Sequence, residues 1–322
     1  MIRFLIRRLV FAVVLVVAAS SSALLLTRLA PGDVTTQLGP FATAQEIAAA
    51  RARFELDRSP AAQLASWASR AVRFDFGESF LYNRPVGPLV TAAAANTAAL
   101  AVVALVVATV LGVGLGIFTG SHRGGLLPSA VRLLSFVSIS MPPLLASLLL
   151  AFLAARTGWL PVGGMSSVDA LDLSWPAWLS DIAWHLPLPV LALALPLAAT
   201  FERLQSQSIS EVLHQPFILA AIARGVSRGD VVLRHAWRVS LPTICGVYGI
   251  AIGALLSGSF VVEYVTAWPG LGRLMYEALR ARDIYLVAGC AAMGSFFLAL
   301  GTLTGDLLLA AADPRVREGD VE

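Results

Sequence analysis

Few side chains in this sequence of 322 residues are suited to catalysis or to metal binding. The two cysteines, Cys245 and Cys290, lie in apolar stretches and match neither a disulfide framework nor a metal site. We expect no metal site at His185 or His214 and place both at interfaces. Neither an HExxH nor a GxSxG motif occurs. These residue types indicate no covalent chemistry, and the chain is predicted not to be an enzyme.

The arginines and glycines argue against an ATP site. All 23 basic residues are arginine, whereas a phosphate-binding Walker loop requires a lysine. Gly112, Gly116 and Gly120 lie four residues apart, a spacing that favours close approach of membrane helices. A nucleotide-binding glycine loop would need a preceding strand and polar surroundings. We therefore expect no cofactor in this chain. Scattered arginines without interleaved aromatic residues also predict no nucleic-acid partner.

The composition is that of an all-α protein that crosses a membrane several times. Hydrophobic residues make up 57% and charged residues 13% of the sequence, with a mean hydropathy of +0.78, whereas soluble proteins carry about 25% charged residues. We interpret the N-terminal apolar run as an uncleaved span because its length suits a bilayer. Met141-Pro142-Pro143 is expected to bend the third span. The six predicted spans are residues 9–27, 92–120, 132–156, 186–201, 239–262 and 284–312.

The arginines also predict the orientation. Arg3, Arg7 and Arg8 precede the first span, and Arg123 and Arg132 lie between the second and third. Because arginine is enriched in cytoplasmic loops, both termini are predicted to be cytoplasmic. The predicted domains are an N-terminal membrane helix (1–30), an extracytoplasmic helical loop (31–88), a five-helix core (89–312) that contains a polar stretch (202–240), and a cytoplasmic tail (313–322).

The stretch FILAAIARGVSRGDVVLRHAW, residues 217–237, mixes arginines with short apolar groups. Pro216 suits the first turn of a helix, Gly225 suits a left-handed exit from it, and Ser227 is suited to cap a second short helix. The residues predict a compact helix-turn-helix that exposes Phe217, Ile218 and Ile222 unless something covers them. Two interpretations remain open: a loop held to anionic lipid, or a docking surface for a cytoplasmic partner.

Several stretches resemble one family. Ala220-Ala221, Gly225 and a basic helix leading to Leu241-Pro242 resemble the cytoplasmic coupling loop of ABC importer permeases. Leu219 and Ile222 depart from that signature, and the segment from Gly225 to Pro242 is one residue shorter than usual. The stretches MIRFLIRRL, TRLAPGD, FGESFLYNRPV, TGWLPVGG, VVEYVTAWPGLGRLMYEAL and ADPRVRE resemble, in family order, the first permease subunit of dipeptide, oligopeptide and nickel importers.

The resemblance implies a type I importer permease fold with an extra N-terminal helix, in a bacterial inner membrane. It implies a second homologous permease that completes the channel, and one or two cytoplasmic ATPase subunits that hold ATP and Mg. It also implies an extracytoplasmic substrate-binding protein, peptide cargo and surrounding membrane lipid. Nickel chelates, glutathione or another small solute are alternative cargoes for the same fold. A stand-alone secondary transporter or channel is the alternative from another class.

The resemblance also assigns roles to residues. The residues expected to couple to the ATPase are Phe217, Ala220, Ala221, Arg224, Gly225 and Arg228. The candidates for the translocation path are Asn96, Ser257, Ser259 and Glu263, and the turn Trp268, Pro269 and Gly270 is the expected outer gate. Asn96 and the two serines alternatively bond across helices, and Glu263 alternatively fixes the turn. Valine at Gly225, or a bulky residue at Ala221, is predicted to uncouple transport.

Overall fold

The structure, a computed structural model, describes residues 2–30, 42–122 and 124–312. The first helices are α1 (Ile2–Leu29), α2 (Ala44–Arg53), α3 (Pro60–Ala71), α4 (Val86–Ser121), α5 (Leu126–Ser140), α6 (Pro143–Thr157), α7 (Trp175–His185) and α8 (Pro187–Val212). They are followed by α9 (Pro216–Ala223), α10 (Arg228–Asp230), α11 (Trp237–Val265), α12 (Leu271–Ala281) and α13 (Ile284–Ala312). A 3-10 turn (Val168–Asp172), a π-helical turn (Val231–Ala236) and an antiparallel hairpin of β1 (Glu78–Ser79) and β2 (Arg84–Pro85) complete the described elements.

The predicted all-α membrane fold is confirmed. Five helical segments are long and apolar enough to cross a membrane, or six if the bent pair α5–α6 counts as one span. The last segment coincides with the predicted sixth span, and α4 begins at Val86, six residues before the predicted start. The predicted tail, residues 31–41 of the predicted loop and Arg123 lie outside the described residues.

The third predicted span consists of two helices. The bend expected at Met141-Pro142-Pro143 is confirmed, and α5 and α6 meet there at 110°. Neither proline carries a backbone N–H, so the helical hydrogen bonds stop before them. Each helix has 15 residues and is about 22 Å long, which is shorter than the roughly 30 Å hydrocarbon core of a bilayer.

The polar stretch 202–240 is mostly helical and is continuous with the spans on both sides. Helix α8 continues to Val212, and an unbroken helical segment covers Arg228–Val265. The sequence predicted that the fourth span ends at residue 201, but the helix continues beyond it. Glu202, Gln205 and Ile209 lie on one buried face of the same helix. Within this stretch, the segment between Val212 and Arg228 is the part that belongs to neither of these two long helical segments.

The helices pack into two compact units that cut across the predicted domain boundaries. Unit 1 comprises Met1–Thr97 and Pro269–Ala299, and unit 2 comprises Ala98–Trp268 and Leu300–Glu322. The predicted boundaries at residues 30 and 88 both fall within unit 1. Side chains from α1, the 42–85 loop, α4, α12 and α13 share the core of this unit, which includes Leu24, Phe54, Trp67, Val86, Leu274 and Tyr285.

The 42–85 loop is stabilised by helix caps. The Thr43 side chain accepts a hydrogen bond from the backbone N–H of Glu46, whose carboxylate accepts one from the Thr43 backbone, so α2 begins with a capping box. The Ser59 side chain caps α3, which has Pro60 in its first turn. The buried Gln63 side chain donates to the carbonyl oxygen of Phe54 at 2.9 Å. The loop is therefore a folded part of unit 1.

Asp283 joins this loop to the start of α13. Its carboxylate accepts hydrogen bonds from the Ser79 hydroxyl at 2.6 Å, the Leu81 N–H at 3.1 Å and the Leu286 N–H at 3.1 Å. Burial raises the pKa of Asp283 above its ordinary value, and these hydrogen bonds oppose that shift.

Replacing Asp283 with alanine is expected to unfold the loop locally, because it leaves three donors unpaired at a buried site, each at a cost of about 1–3 kcal/mol. Limited proteolysis of the purified protein should then cut within residues 42–85 much faster than in the wild type. Asp57→Ala serves as the control, since Asp57 pairs with Arg51 at an exposed position. Equal cleavage rates for Asp283→Ala and the wild type would contradict this role for Asp283.

Candidate functional site

Helix α9 is the centre of the arginine-containing stretch. It begins at Pro216, follows the extended residue Gln215, and ends after eight residues. Together with the turn after it, α10 and the π-helical turn, it forms a compact element that we call the 216–236 knob. The predicted helix-turn-helix is therefore present in unit 2.

One side of α9 packs inward. Ile218 and Ala221 are 0% and 1% exposed, and they share a small core with Ile209, Val212, Val231 and Ala236 from the flanking helical segments. The sequence predicted an exposed Ile218 unless something covered it, and it is covered by these residues of the same chain. Ala221 likewise contacts its own chain, so a large side chain there would disturb the packing of the knob on α8.

The other side of α9 is exposed and apolar. Phe217, Leu219 and Ile222 are 44%, 58% and 51% exposed, and Ala220 and Arg224 are exposed beside them. Three large apolar side chains in a helix of eight residues are more than a solvent-facing surface normally carries, and such patches mark contact sites. Ala220 and Ala221, adjacent in the signature, therefore differ in burial: Ala220 is exposed and Ala221 is buried.

The backbone conformation of the turn after α9 favours glycine. Gly225 has φ +84°, and its N–H donates to the carbonyl oxygen of Ile222 at 2.9 Å. The N–H of Val226 then donates to the carbonyl oxygen of Ala221 at 3.2 Å, which satisfies a second carbonyl at the helix end. The Ser227 hydroxyl accepts from the N–H of Asp230 at 3.2 Å and so caps the next helix, as the sequence predicted.

Arg228 connects the knob to α4. Its guanidinium donates to the carbonyl oxygen of Ser121, the last residue of α4, at 2.9 Å. A second arginine, Arg132, donates to the carbonyl oxygen of Thr119 at 3.2 Å. Cations at a helix C-terminus bind its unpaired carbonyl groups and oppose the negative end of the helix dipole. The structure thus places Arg228, an expected ATPase contact, against a helix of its own chain.

Helices α4 and α8 pack with their backbones almost in contact. A Cβ atom added at Gly112 would lie 2.5 Å from the carbonyl oxygen of Ala198, and one added at Gly120 would lie 2.5 Å from that of Ser206. At Gly116 it would lie 2.6 Å from Cβ of Gln205. The three glycines therefore have the packing role that their spacing predicted.

Two polar contacts bind α8 to its neighbours. The Thr119 hydroxyl of α4 donates to Oε1 of Glu202, which is buried. The Gln205 amide donates to the Ser240 hydroxyl of α11 at 2.7 Å. The sequence did not identify Glu202 as part of this junction. The signal that could have done so is a carboxylate at helical spacing from Gln205 and Ile209, since a buried acid needs a donor.

The translocation-path candidates of α11 differ in exposure. Ser257 is exposed, whereas Ser259 is buried and its hydroxyl donates to the carbonyl oxygen of Leu256 at 2.9 Å. Glu263 is 0% exposed, and its carbonyl oxygen accepts from the N–H of Trp268 at 2.9 Å. Trp268 is buried within unit 2. Within unit 2, Ser257 is therefore the one of these three candidates whose side chain is accessible.

Asn96 and the remainder of the gate turn lie in unit 1. The Asn96 amide donates to the carbonyl oxygen of Pro269 at 2.9 Å, and the Thr97 hydroxyl accepts from the N–H of Leu271 at 2.7 Å. Pro269 is exposed and Gly270 is buried. The structure thus brings Asn96 and Pro269-Gly270 together, which the sequence did not predict.

These residues border a cleft of about 570 Å³ that the sequence did not reveal. Its polar lining consists of Tyr82, Arg84, Asn96, Arg273 and Glu277. Four of these five residues come from FGESFLYNRPV and VVEYVTAWPGLGRLMYEAL, two stretches that were quoted for their resemblance. No group of three or more His, Cys, Asp or Glu side chains suited to a metal ion occurs among the described residues.

Comparisons with known proteins place the chain in a family of transport proteins. Residues 112–318 match the family described as binding-protein-dependent transport system inner membrane component. The chain is 32% identical to a putative peptide permease protein of Brucella suis biovar 1 (strain 1330), over 98% of this chain and 99% of the relative.

Two further relatives are similar along almost their whole length. A probable peptide ABC transporter permease protein of Sinorhizobium fredii (strain NBRC 101917 / NGR234) is 30% identical over 98% of this chain and 99% of its own. The oligopeptide transport system permease protein AppB of Bacillus subtilis (strain 168) is 26% identical over the same shares. With its apolar helices, its knob and these matches, the chain belongs to the family of inner membrane components of binding-protein-dependent transport systems.

Proposed function

We propose that this chain is the first permease subunit of an ATP-driven ABC importer for dipeptides or oligopeptides. It forms half of the translocation channel, and a second homologous permease forms the other half. One or two cytoplasmic ATPase subunits hold ATP and Mg, and an extracytoplasmic binding protein delivers the cargo. The chain itself holds no ATP site, in keeping with a sequence that has no lysine. The names of the similar relatives support peptide as the cargo.

The observation that carries the proposal is the two-sided packing of α9. Its inner side is buried against α8 and the segment that begins at Arg228, while Phe217, Leu219 and Ile222 remain exposed on its outer side. A helix fixed to its own chain on one side and apolar on the other is suited to a groove on a partner. We assign this groove to the ATPase subunit.

The contacts of the knob provide a physical route for coupling. A force applied to α9 reaches α8 through Ile218 and Ala221, and reaches the end of α4 through the Arg228–Ser121 hydrogen bond. The glycine contacts then hold α4 against α8. Because these helices are closely packed, they move together as a rigid body, as a switch between two channel states requires.

This function sets the orientation. The knob and both termini lie on the cytoplasmic side, which agrees with the arginines at the start of α1 and with Arg132 in the first half of α5. The 42–85 loop and α12 then lie on the extracytoplasmic side. Nickel chelates, glutathione or another small solute remain alternative cargoes for the same subunit.

Introducing a negative charge on the exposed side of α9 tests the function. In the Phe217→Glu and Ile222→Glu variants we expect the ATPase subunit to be lost from the complex during gentle purification, because a carboxylate would be buried unpaired in the groove. The second permease should still copurify. Leu126→Glu is the matched control, since Leu126 is 93% exposed and lies at the start of α5, outside the knob.

The composition of the purified complex, determined by mass spectrometry, decides the question. Loss of the ATPase from both knob variants but not from Leu126→Glu supports the proposal. Unchanged ATPase recovery with all three variants would remove α9 as its docking site. Recovery of the wild-type chain alone, active in transport without ATP, would replace the importer with a stand-alone transporter.

A further inference from the structure

The cleft in unit 1 has the volume of a site for a small molecule. Its volume of about 570 Å³ lies within the roughly 300–1,000 Å³ of ligand-binding pockets. Its apolar lining includes Pro85, Pro88, Leu89 and Leu274. Because charged and apolar side chains both line the cleft, a ligand with one charged end and an apolar side chain suits it.

The acid of the cleft already has two partners. Glu277 accepts a hydrogen bond from Nε of Arg273 at 2.9 Å and another from the Tyr82 hydroxyl. Burial, assisted by Glu277, raises the pKa of Tyr82 to about 12, so Tyr82 remains a hydrogen-bond donor at neutral pH. Because Arg273 balances the charge of Glu277, Glu277 attracts an additional cation, such as a peptide's amino group, only weakly.

Arg84, in contrast, brings a positive charge that no other described residue neutralises. Within residues 2–30, 42–122 and 124–312, its guanidinium forms no hydrogen bond or ion pair, and it lines the cleft. Its backbone is held in place, because Arg84 pairs with Ser79 in the hairpin and the N–H of Val86 donates to the carbonyl oxygen of Gly77 at 2.9 Å. A positioned arginine of this kind is suited to bind a carboxylate through two hydrogen bonds.

We propose that this cleft is a peptide subsite in which Arg84 binds the C-terminal carboxylate and the apolar lining residues receive the adjoining side chain. This inference rests on the proposed function, because it takes peptide as the cargo and the cleft as extracytoplasmic. Beyond the proposed function, the inference specifies which chemical group of the cargo the permease recognises, namely the C-terminal carboxylate. The peptide's amino group makes no essential contact, since Glu277 is already paired with Arg273 and Tyr82.

The test uses the intact complex in lipid nanodiscs without the binding protein. Saturation-transfer NMR measures the binding of trialanine, of its C-terminal amide and of N-acetyl-trialanine. The wild type is expected to bind trialanine and N-acetyl-trialanine with the same affinity. It should bind the C-terminal amide with an affinity at least about five-fold lower. Arg84→Gln should weaken the binding of trialanine to the level of the amide. Arg73→Gln, which changes an exposed arginine of the same loop outside the cleft, should have no effect.

The possible outcomes separate the subsite from the transport function. Trialanine binding that does not respond to Arg84→Gln or to amidation overturns the subsite, as does an absence of binding because the second permease covers the cleft. A separate pull-down measures how much extracytoplasmic binding protein the complex captures. If Arg84→Gln weakens this capture and leaves trialanine binding unchanged, the subsite is overturned and Arg84 is a contact for the binding protein. ATP-driven uptake of labelled peptide tests the importer separately. If uptake is absent while binding depends on Arg84, the peptide importer fails and the carboxylate site stands.

Discussion

Replacing Gly112 with alanine is expected to destabilise the folded chain, whereas alanine at Gly114, on the same helix, should leave it as stable or slightly more stable. At Gly112 the added Cβ atom would lie 2.5 Å from the carbonyl oxygen of Ala198 and 2.6 Å from Cβ of Phe201. Neither atom belongs to the flexible end of a side chain, so α4 and α8 must separate. Overpacking of this kind costs about 1–3 kcal/mol, and the whole α4–α8 interface shares the displacement.

Gly114 provides the control because its added Cβ atom would meet nothing within 4 Å. Alanine is also a better helix former than glycine by about 1 kcal/mol, so intrinsic propensity predicts stabilisation in both variants. The measurement is the fraction of chain that remains monodisperse in detergent after heating. A midpoint several degrees lower for Gly112→Ala alone is expected. Equal midpoints for both variants would show that α4 and α8 do not pack as closely as described.

The glycine contacts illustrate what can be predicted from the sequence. The spacing of Gly112, Gly116 and Gly120 indicates a helix surface that permits close approach, and the structure confirms it. The spacing does not identify the partner helix, because small residues on one helix do not specify which neighbour packs against them. The burial of Glu202 was missed for a related reason: its donor, Thr119, lies 83 residues away in the sequence.

Helix boundaries were predicted well where charge and hydropathy change together. Helix α13 begins at residue 284 as expected, since Asp283 caps it and the uncharged residues follow. The span predicted for α8 was too short because the second half of the helix becomes polar at Glu202. This half nevertheless keeps one buried face. The 110° angle between α5 and α6 was not predictable, because prolines locate a break in a helix without fixing its direction.

The knob was located from its family resemblance, but the orientation of its residues required the structure. Ala220 and Ala221 are equivalent in the sequence pattern, yet Ala221 is buried in the core of the knob and Ala220 is exposed. Arg228 was expected to couple to the ATPase, and the structure shows that its guanidinium contacts the end of α4. A helix of eight residues is too short for its hydrophobic periodicity to show which face is buried, because it completes little more than two turns.

Replacing Gly225 with valine is expected to lower ATP-driven uptake at least ten-fold while the chain remains in the membrane. The residue has φ +84°, and no atom lies within 4 Å of an added Cβ atom. The obstacle is therefore the backbone conformation, which a β-branched residue strongly resists. When the turn changes, the hydrogen bonds from Gly225 and Val226 back to α9 are lost, and α9 no longer holds its position on α8.

Gly225→Asn separates this conformational effect from an effect of side-chain size. Asparagine enters the left-handed region more readily than other residues with a side chain, so this variant should keep uptake within about two- to three-fold of the wild type. The assay measures uptake of labelled peptide by cells or proteoliposomes, with the amount of chain in the membrane determined in parallel. Ala221→Leu should behave like Gly225→Val, since Ala221 lies in the core of the knob. Full uptake by both Gly225→Val and Ala221→Leu would show that transport does not depend on the packing of the knob, and coupling would then have to be sought elsewhere in the chain.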